Sequence, residues 1–417
     1  MSKITEPMML DSTGKALVEK LHTQNLLLNV MANSAIEVAS SLEEIHRIVQ
    51  TGNAAKVFNI GDQLILPWTD KATGTTYQYP FDVVHFGKVN IEDGEELPAM
   101  FLQAHYATPF GVQFDNFEAF YFASDEGGLK PGSYKIAFAG TWGTHVKAKT
   151  YKFTLTKPVP QNGVLAGFER CPDVDPTSWR VSSYAKASDK DPIETVSVTE
   201  VSSGDPSTDL GTLKIGAEKF NAEAKLNDLH RVGYGYNRWS MSAMRQWLNS
   251  TADKDKWWAS KNQFDRPPAE LATKAGFMSG FNSDFLATLK PVKVQTALNT
   301  VTDDQIVCIP EHLETTYDTF FLPCLDNMNI TPQLAGEGDV FEYWKRASKS
   351  AEKLAQYGTY PRMRTFALEN HTSPQSVRLR SAGRGFGSIT WYVNSSGYVN
   401  GNYAYGSFRC TPVCAMC

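Results

Sequence analysis

Residues 381–410 read SAGRGFGSITWYVNSSGYVNGNYAYGSFRC, and no other stretch of the chain is so unlike an ordinary core element. From Gly385 to Thr411 the sequence contains no Asp, Glu, Lys, Gln, Met or Leu. Tyr, Phe, Ser, Asn and Gly fill most positions instead. This composition is typical of adaptable binding surfaces, because Tyr offers a large contact area at low entropic cost and Ser, Gly and Asn hydrogen-bond flexibly. The stretch is therefore predicted to display its side chains to a partner.

The same stretch predicts a β-hairpin. An aromatic and β-branched run from Trp391 to Val393 precedes a turn over Asn394–Gly397, and Tyr398 and Val399 continue as the second strand. A hairpin of this kind also forms without any binding role, and the two interpretations are compatible. The predicted ligand-binding residues are Phe386, Ser388, Ile389, Thr390, Tyr392, Ser395, Ser396, Tyr398, Asn400, Asn402, Tyr403, Tyr405 and Phe408.

Other segments carry a resemblance to a known family. Arg378-Leu-Arg-Ser381 and Arg409-Cys-Thr-Pro-Val-Cys414 flank the stretch, and RWSMSAMRQWLN (from Arg238) and DTFFLPCLD (from Asp318) lie upstream. Together with Trp391-Tyr-Val and Gly397-Tyr-Val, these segments resemble the variable proteins of diversity-generating retroelements in phages and gut bacteria. The resemblance covers about residues 226–417. It implies a C-type-lectin-like fold related to formylglycine-generating enzymes, and it fixes fold better than function.

The resemblance also implies a source for the unusual composition. In these retroelements the adenines of a template are copied into random bases, so that Asn codons become a set of residues excluding Lys, Glu, Gln, Met and Trp. The first four types are absent from Gly385 to Thr411, and Trp391 would then be a fixed scaffold residue. The variable region would span about 384–410. Compositional drift gives the same absence, since Tyr, Ser and Gly are also enriched in ordinary loops.

The length and charge of the chain restrict its number of domains and the classes of partner that it can bind. With 417 residues, 42% of them hydrophobic and 20% charged, the chain can form two or three globular domains. The net charge of −5 and the absence of a dense Lys/Arg run argue against a nucleic-acid partner. The N-terminus lacks a signal-peptide pattern, and no apolar run is long enough to predict membrane insertion. These features predict a protein made in a host cytoplasm.

Catalytic and metal-binding patterns are weak. Nucleophile-elbow, zinc-protease, phosphate-loop and dinucleotide motifs are absent from the sequence. A thiol-dependent oxidase would require a reactive cysteine pair, whereas Cys308 and Cys324 adjoin apolar runs. The cysteines from Cys410 to Cys417 lack a fourth zinc ligand, and the acidic pairs at 253–255 and 303–304 are more typical of solvated loops than of a calcium site. We therefore expect no enzyme activity, no cofactor and no metal.

The first 52 residues predict a helical arm. A short heptad seam from Leu17 to Met31 fits either self-association or one amphipathic helix packed on its own domain. A second helix is predicted over about 42–51. It would begin with the capping box formed by Ser41 and Glu44 and end at Gly52.

Strand patterns follow the arm. Short aromatic and β-branched runs separated by Gly, Pro and Asp turns predict a sandwich-like β domain over 53–157, in which His85, His105 and His145 are core or surface residues. Residues 158–225 predict a connecting β module. Residues 226–417 predict the C-type-lectin-like domain, so that the fold class is α+β. A helix is expected there over 240–250, with Ser240 as its N-cap and Met244, Trp247 and Leu248 facing inward.

Three functions are consistent with these features. The first is a phage virion protein that binds a host-surface protein or glycan through the aromatic stretch, attaches to other virion proteins and forms a homo-oligomer, of which a trimer is one form. The second is a capsid or tail decoration protein without receptor binding. The third is a ligand-binding protein of the bacterial cell surface, which the missing signal peptide disfavours.

Overall fold

The structure is a computed structural model. It describes residues 35–116, 119–122, 128–140, 149–159, 164–166, 178–182, 194–215, 229–232, 237–259, 267–299, 313–347, 366–384 and 389–417. Several features named above lie outside these residues: the heptad seam at 17–31, the acidic pair at 303–304, Cys308, His145, Phe386 and Ser388. Many strands and a few helices make up the described residues, so the α+β class is confirmed. None of the described helices has both the length and the hydropathy of a membrane span.

The N-terminal elements are two helices and a three-stranded meander. They are α1 (Ala35–Gln50), α2 (Ala54–Val57), β1 (Gln63–Asp70), β2 (Thr75–Asn90) and β3 (Glu96–Ala104). Buried and accessible side chains alternate along β1, as in a strand with one face on the core. Leu64, Leu66 and Trp68 are buried, while the residues between them are partly or fully exposed. The residues of α1 that face the core are Leu42, Ile45 and Val49, as the apolar spacing predicts.

The meander belongs to a sheet that the C-terminus completes. Its order is β1-β2-β3-β20-β15, in which β20 is Val413–Met416 and β15 is Phe320–Phe321. Strand β3 pairs with β20 in an antiparallel arrangement, with Leu102 opposite Cys414. Among the described residues, buried side chains between Leu42 and Phe114 and between Trp239 and Cys417 form one hydrophobic core around this sheet. The prediction of a separate β domain over 53–157 is therefore wrong for β1 to β3, because a strand more than 300 residues away supplies their neighbour.

A second sheet crosses the other predicted boundary. Its strands are β6 (Gly132–Gly140), β7 (Thr150–Leu155), β8 (Val164–Ala166), β9 (Ser178–Ser182), β10 (Glu194–Val201) and β11 (Thr208–Ile215). Their order in the sheet is β11-β6-β7-β10-β9-β8, with β6 and β11 parallel and the other pairs antiparallel. Strand β7 pairs directly with β10, so a boundary between 157 and 158 divides one sheet. This sheet is inserted in the chain between the two sequence segments that form the shared core.

The remaining elements are short. The helices are α3 (Ala243–Leu248), α4 (Ser283–Leu286) and α5 (Glu342–Ala347), and 3₁₀ turns occupy 239–241, 269–272 and 277–280. Two-stranded pairs join β4 (Val112–Gln113) with β19 (Ser407–Phe408), β5 (Ala119–Phe122) with β12 (Leu229–Val232), and β13 (Val292–Ala297) with β14 (Leu313–Asp318). A three-stranded sheet contains β16 (Val377–Ala382), β17 (Ile389–Val393) and β18 (Val399–Tyr403).

Two predicted helix starts differ from the structure. The helix expected from residue 42 already contains Ala35, so Ser41 lies inside α1 and does not cap it. The helix expected from Ser240 begins at Ala243 instead, because Ser242 has extended backbone angles and its hydroxyl accepts a hydrogen bond from the Arg245 amide. The predicted inward face of α3, with Met244, Trp247 and Leu248, is confirmed by the complete burial of these side chains.

Candidate functional site

The predicted hairpin is confirmed. Strands β17 and β18 pair in an antiparallel arrangement, with Val393 opposite Val399 at the end next to the turn. The turn is shaped by Asn394, whose Oδ1 accepts hydrogen bonds from the amides of Ser396 at 3.0 Å and Tyr398 at 2.9 Å. Gly397 has a φ of 83°, which favours glycine. Below, residues 389–408 are called the aromatic segment.

Exposure differs among the predicted ligand-binding residues. Tyr398 is 64% exposed and is the one large hydrophobic residue in the described chain with an exposed side chain. Ser395, Ser396 and Asn400 are also exposed. Partly buried positions are Ile389, Tyr392, Asn402, Tyr403, Tyr405 and Phe408. The turn of the hairpin therefore presents the most accessible part of the aromatic segment.

Thr390 does not belong to this surface. It is completely buried, and its Oγ1 accepts a hydrogen bond of 2.6 Å from Arg378 Nη1. The sequence prediction of Thr390 as an accessible ligand-binding residue is wrong, because strand alternation points its side chain towards the buried arginine on the neighbouring strand.

The strand register distributes the predicted residues over both faces of the sheet. Positions 390 and 392 of β17 lie opposite 402 and 400 of β18, so these four side chains share one face. Ile389 pairs with Tyr403 on the other face. The aromatic segment is thus a two-sided hairpin with an exposed turn, and its side chains do not form one flat patch.

Ring contacts order the aromatic side chains beside the turn. The rings of Tyr392 and Phe408 lie 5.0 Å apart between centroids, and those of Tyr403 and Tyr405 stack at 5.1 Å with an interplanar angle of 15°. Aromatic pairs at these distances are favourable beyond their buried area. The two rings of each pair therefore support each other.

Arg378 lies beneath the aromatic segment and binds its backbone. Its guanidinium donates to the carbonyl oxygens of Asn402 at 3.1 Å, Tyr403 at 2.8 Å and Gly406 at 3.1 Å. The ring of Phe408 covers the guanidinium at 4.1 Å. Burial lowers the pKa of Arg378 to about 9, which leaves the group charged at neutral pH. One rigid fork of donors thus fixes three main-chain carbonyls in the last part of the segment.

A second set of backbone contacts holds the same part of the chain. The Phe114 amide donates to the Ala404 carbonyl at 2.9 Å, and the Gln113 side-chain amide donates to the Tyr405 carbonyl at 2.7 Å. Gly111 approaches so closely that a Cβ there would lie 2.8 Å from the Ser407 carbonyl oxygen. No local pattern in the sequence indicated that residues 111–114 support the aromatic segment, because the two stretches are almost 300 residues apart.

Arg380 holds a different loop. Two residues after Arg378 on β16, its guanidinium donates to the carbonyl oxygen of Leu322 at 2.6 Å and to Asn327 Oδ1 at 2.9 Å. A further bond of 2.5 Å reaches the Glu337 carbonyl. Arg378 and Arg380 thus each hold a loop by hydrogen bonds, and the two loops lie in separate places. Arg384, which follows β16, is partly buried.

The thiols in the described chain are buried. Cys324, Cys410, Cys414 and Cys417 are all free and less than 3% exposed. Burial raises the pKa of Cys324 and of Cys410 to about 12, so neither is a thiolate at neutral pH. Across the described residues, no group of three or more His, Cys, Asp or Glu side chains could hold a metal ion.

Comparison with known families gives one match. The model of a family described as a domain of unknown function (DUF6273) matches residues 211–416. The matched region runs from β11 to β20 and includes the aromatic segment, whereas β1 to β3, which complete the sheet beside β20, lie outside it. No curated protein and no solved structure matches the chain.

Proposed function

We propose that this chain is a variable protein of a diversity-generating retroelement, carried in a phage virion, whose C-type-lectin-like C-terminal domain binds a host-surface protein or glycan. The residues that contact the ligand lie between Phe386 and Phe408, without the buried Thr390, and the turn of the hairpin is at their centre. Attachment to other virion proteins and to further copies of the chain is part of the same proposal.

The observation that carries this proposal is how the aromatic segment is held. Arg378, Gln113 and the Phe114 amide all bind carbonyl oxygens of residues 402–406, and a carbonyl oxygen is present whatever the side chain is. Side chains at these positions can therefore change while the backbone keeps its conformation. A recognition surface that must accept many sequences requires this separation of scaffold from contact residues.

The chemistry of the exposed positions supports recognition of a surface ligand. Tyr398 combines a large apolar ring with a hydroxyl, and Ser395, Ser396 and Asn400 add uncharged hydrogen-bonding groups around it. Such a turn fits either a glycan or a protein. Single sites of this size bind weakly, and several copies on one particle would raise the avidity by orders of magnitude.

A cell-attachment assay tests recognition. The purified chain carrying Tyr398→Ala together with Ser396→Ala and Asn400→Ala is compared with the unchanged chain on intact cells of the phage's bacterial host. These side chains are exposed, so the fold should be retained, and attachment should fall by at least tenfold. A matched control replaces Glu92 and Glu95 by Ala in another exposed turn.

The result that contradicts recognition is attachment that stays unchanged in the triple variant. In that case, rings found buried against a neighbouring subunit of the particle would favour the decoration protein.

Diversification is tested separately by sequencing the neighbouring locus. We expect a near-copy of the codons for 384–410 that differs mainly at adenines, and its absence would remove the retroelement from the proposal while leaving recognition open to the attachment assay.

A further inference from the structure

A cavity of about 310 Å³ lies in the shared core, where β2, β13 and the loop 336–341 meet. We call it the loop pocket. The pocket and the aromatic segment have no lining residue in common, although Arg380, which lies beside the pocket, shares β16 with Arg378. Pockets that take small organic molecules begin at about 300 Å³. The loop pocket is therefore large enough for a ligand of amino-acid size.

The floor of the pocket is aromatic. The His85 ring lies 5.5 Å from the ring of Phe101 and stacks on Phe341 at 5.7 Å. Burial lowers the pKa of His85 against the opposing effect of Asp339, so the imidazole is neutral at pH 7. Its Nδ1 is buried and has no hydrogen-bond partner among the described residues, so it is a polar atom beside the rings of Phe101 and Phe341. The floor thus suits the hydrocarbon part of a ligand.

The buried charged groups beside the floor are already satisfied. Glu337 accepts hydrogen bonds from the Ala297 amide at 2.9 Å and from the Ser381 hydroxyl, and Arg380 donates to the backbone and to Asn327 as described above. These bonds make Arg380 and Glu337 part of the wall. The charges that remain for a ligand lie at the mouth of the pocket.

The mouth carries side chains of both charges. Lys88 on β2 and Lys293 on β13 lie on strands that adjoin at the bridge between Ile91 and Val292, and both lysines line the pocket. Asp339 lines it from the loop. Among the described residues, neither the Lys293 ammonium nor the Asp339 carboxylate has an ion-pair partner within 4.0 Å. Lys88 forms only a solvent-exposed pair with Glu96, which contributes little to stability.

The loop that carries Asp339 is held in place without a ligand. Asp326 Oδ2 accepts from the amides of Gly336 at 2.9 Å and Glu337 at 3.0 Å, and the Asn327 side chain donates to the Asp339 carbonyl at 2.8 Å. The pocket is therefore preformed, which reduces the entropy lost on binding.

We propose that the loop pocket binds a small zwitterion, a free α-amino acid, with its carboxylate at Lys293 and Lys88, its ammonium at Asp339 and its side chain on the floor formed by His85, Phe101 and Phe341. Lysine and aspartate side chains that line one pocket match the two charged groups of an amino acid. The aromatic residues of the same pocket match its side chain. This site is independent of the proposed recognition of a host surface.

The experiment uses the full chain and the twenty free L-amino acids, screened by saturation-transfer NMR. Each amino acid that binds is then titrated by calorimetry beside its amide, which lacks the carboxylate, and its deaminated acid, which lacks the ammonium. We expect at least one amino acid to bind, and both analogues to bind at least tenfold more weakly, because each loses a charged hydrogen-bonding group.

Variants locate the site. Lys293→Ala and Asp339→Asn change exposed side chains, so both proteins should fold, and each should weaken binding by about tenfold or more. The matched controls Lys71→Ala and Asp253→Asn alter exposed residues away from the pocket and should leave affinity unchanged. The proposal is overturned if no amino acid binds, if the deaminated acid binds as tightly as its parent, or if the two pocket variants retain full affinity. Cell attachment should be unaffected by either pocket variant.

Discussion

Replacing Arg378 by Met tests whether the buried guanidinium fixes the aromatic segment. The arginine side chain is completely buried, and its four hydrogen bonds have lengths of 2.6–3.1 Å. A Met side chain fills much of the volume of the arginine side chain but has no hydrogen-bond donor. The variant therefore removes a donor from the buried Thr390 hydroxyl and from the partly buried carbonyl oxygens of Asn402, Tyr403 and Gly406.

The expected magnitude follows from two opposing terms. Hydrogen bonds to a charged group contribute about 1.5–3 kcal/mol each, so four contribute roughly 6–12 kcal/mol. Burial of the charge, which lowers the pKa of Arg378 to about 9, opposes them by roughly 5 kcal/mol. Because contributions in one network are not additive, we expect the free energy of unfolding to fall by about 3 kcal/mol in Arg378→Met.

Urea unfolding followed by tryptophan fluorescence measures the loss. Hydrogen exchange of the amides in 399–406 should also become faster, because the carbonyl anchors of this part of the chain are gone. Lys88→Met is the control, since it removes an ion pair whose side chains are 66% and 51% exposed and should cost less than about 1 kcal/mol. A free energy of unfolding within about 1 kcal/mol of the unchanged protein in Arg378→Met, with unchanged exchange, would refute this account.

Substitutions at two positions and one labelling experiment test the shared core, the cap of α3 and the buried thiols. Gly280→Ala places a Cβ 2.3 Å from Trp68 Nε1 and should lower the free energy of unfolding by about 3 kcal/mol, measured by urea unfolding. Ser242→Ala removes the cap of α3 and should cost about 1 kcal/mol in the same assay, whereas Ser242→Thr should cost less. Because burial raises the pKa of Cys324 and of Cys410 to about 12, both should resist a thiol-specific disulfide reagent at pH 8 until urea unfolds the chain; rapid native labelling of either would contradict this.

Local features of the fold could be predicted from the sequence. The turn at Asn394 and Gly397 is determined by residues within five positions of each other, and the structure has the hairpin where the sequence places it. The buried face of α3 follows from the spacing of Met244, Trp247 and Leu248 in the same way. Backbone and side-chain preferences act over these short distances, so they leave a pattern in the sequence.

Long-range pairing could not be predicted in this way. Strand β3 ends at Ala104, and nothing in its alternation indicates that its neighbour is β20 at the other end of the chain. Both strands are apolar enough to pair with many partners. The predicted domain boundaries failed for this reason, since they assumed that strands pair with strands near them in sequence. The exposure of the candidate site was mispredicted at Thr390 because composition does not specify which side of a strand is covered.

Arg378 and Arg380 show how one strand can serve both proposed sites. Side chains two positions apart on β16 share a face, yet one guanidinium binds carbonyls of the aromatic segment and the other binds carbonyls beside the loop pocket. Each guanidinium donates mainly to main-chain oxygens, and each also has one side-chain acceptor, Thr390 for Arg378 and Asn327 for Arg380. Side chains around the hairpin turn can therefore be exchanged at little cost in stability, whereas replacement of either arginine should destabilise the chain.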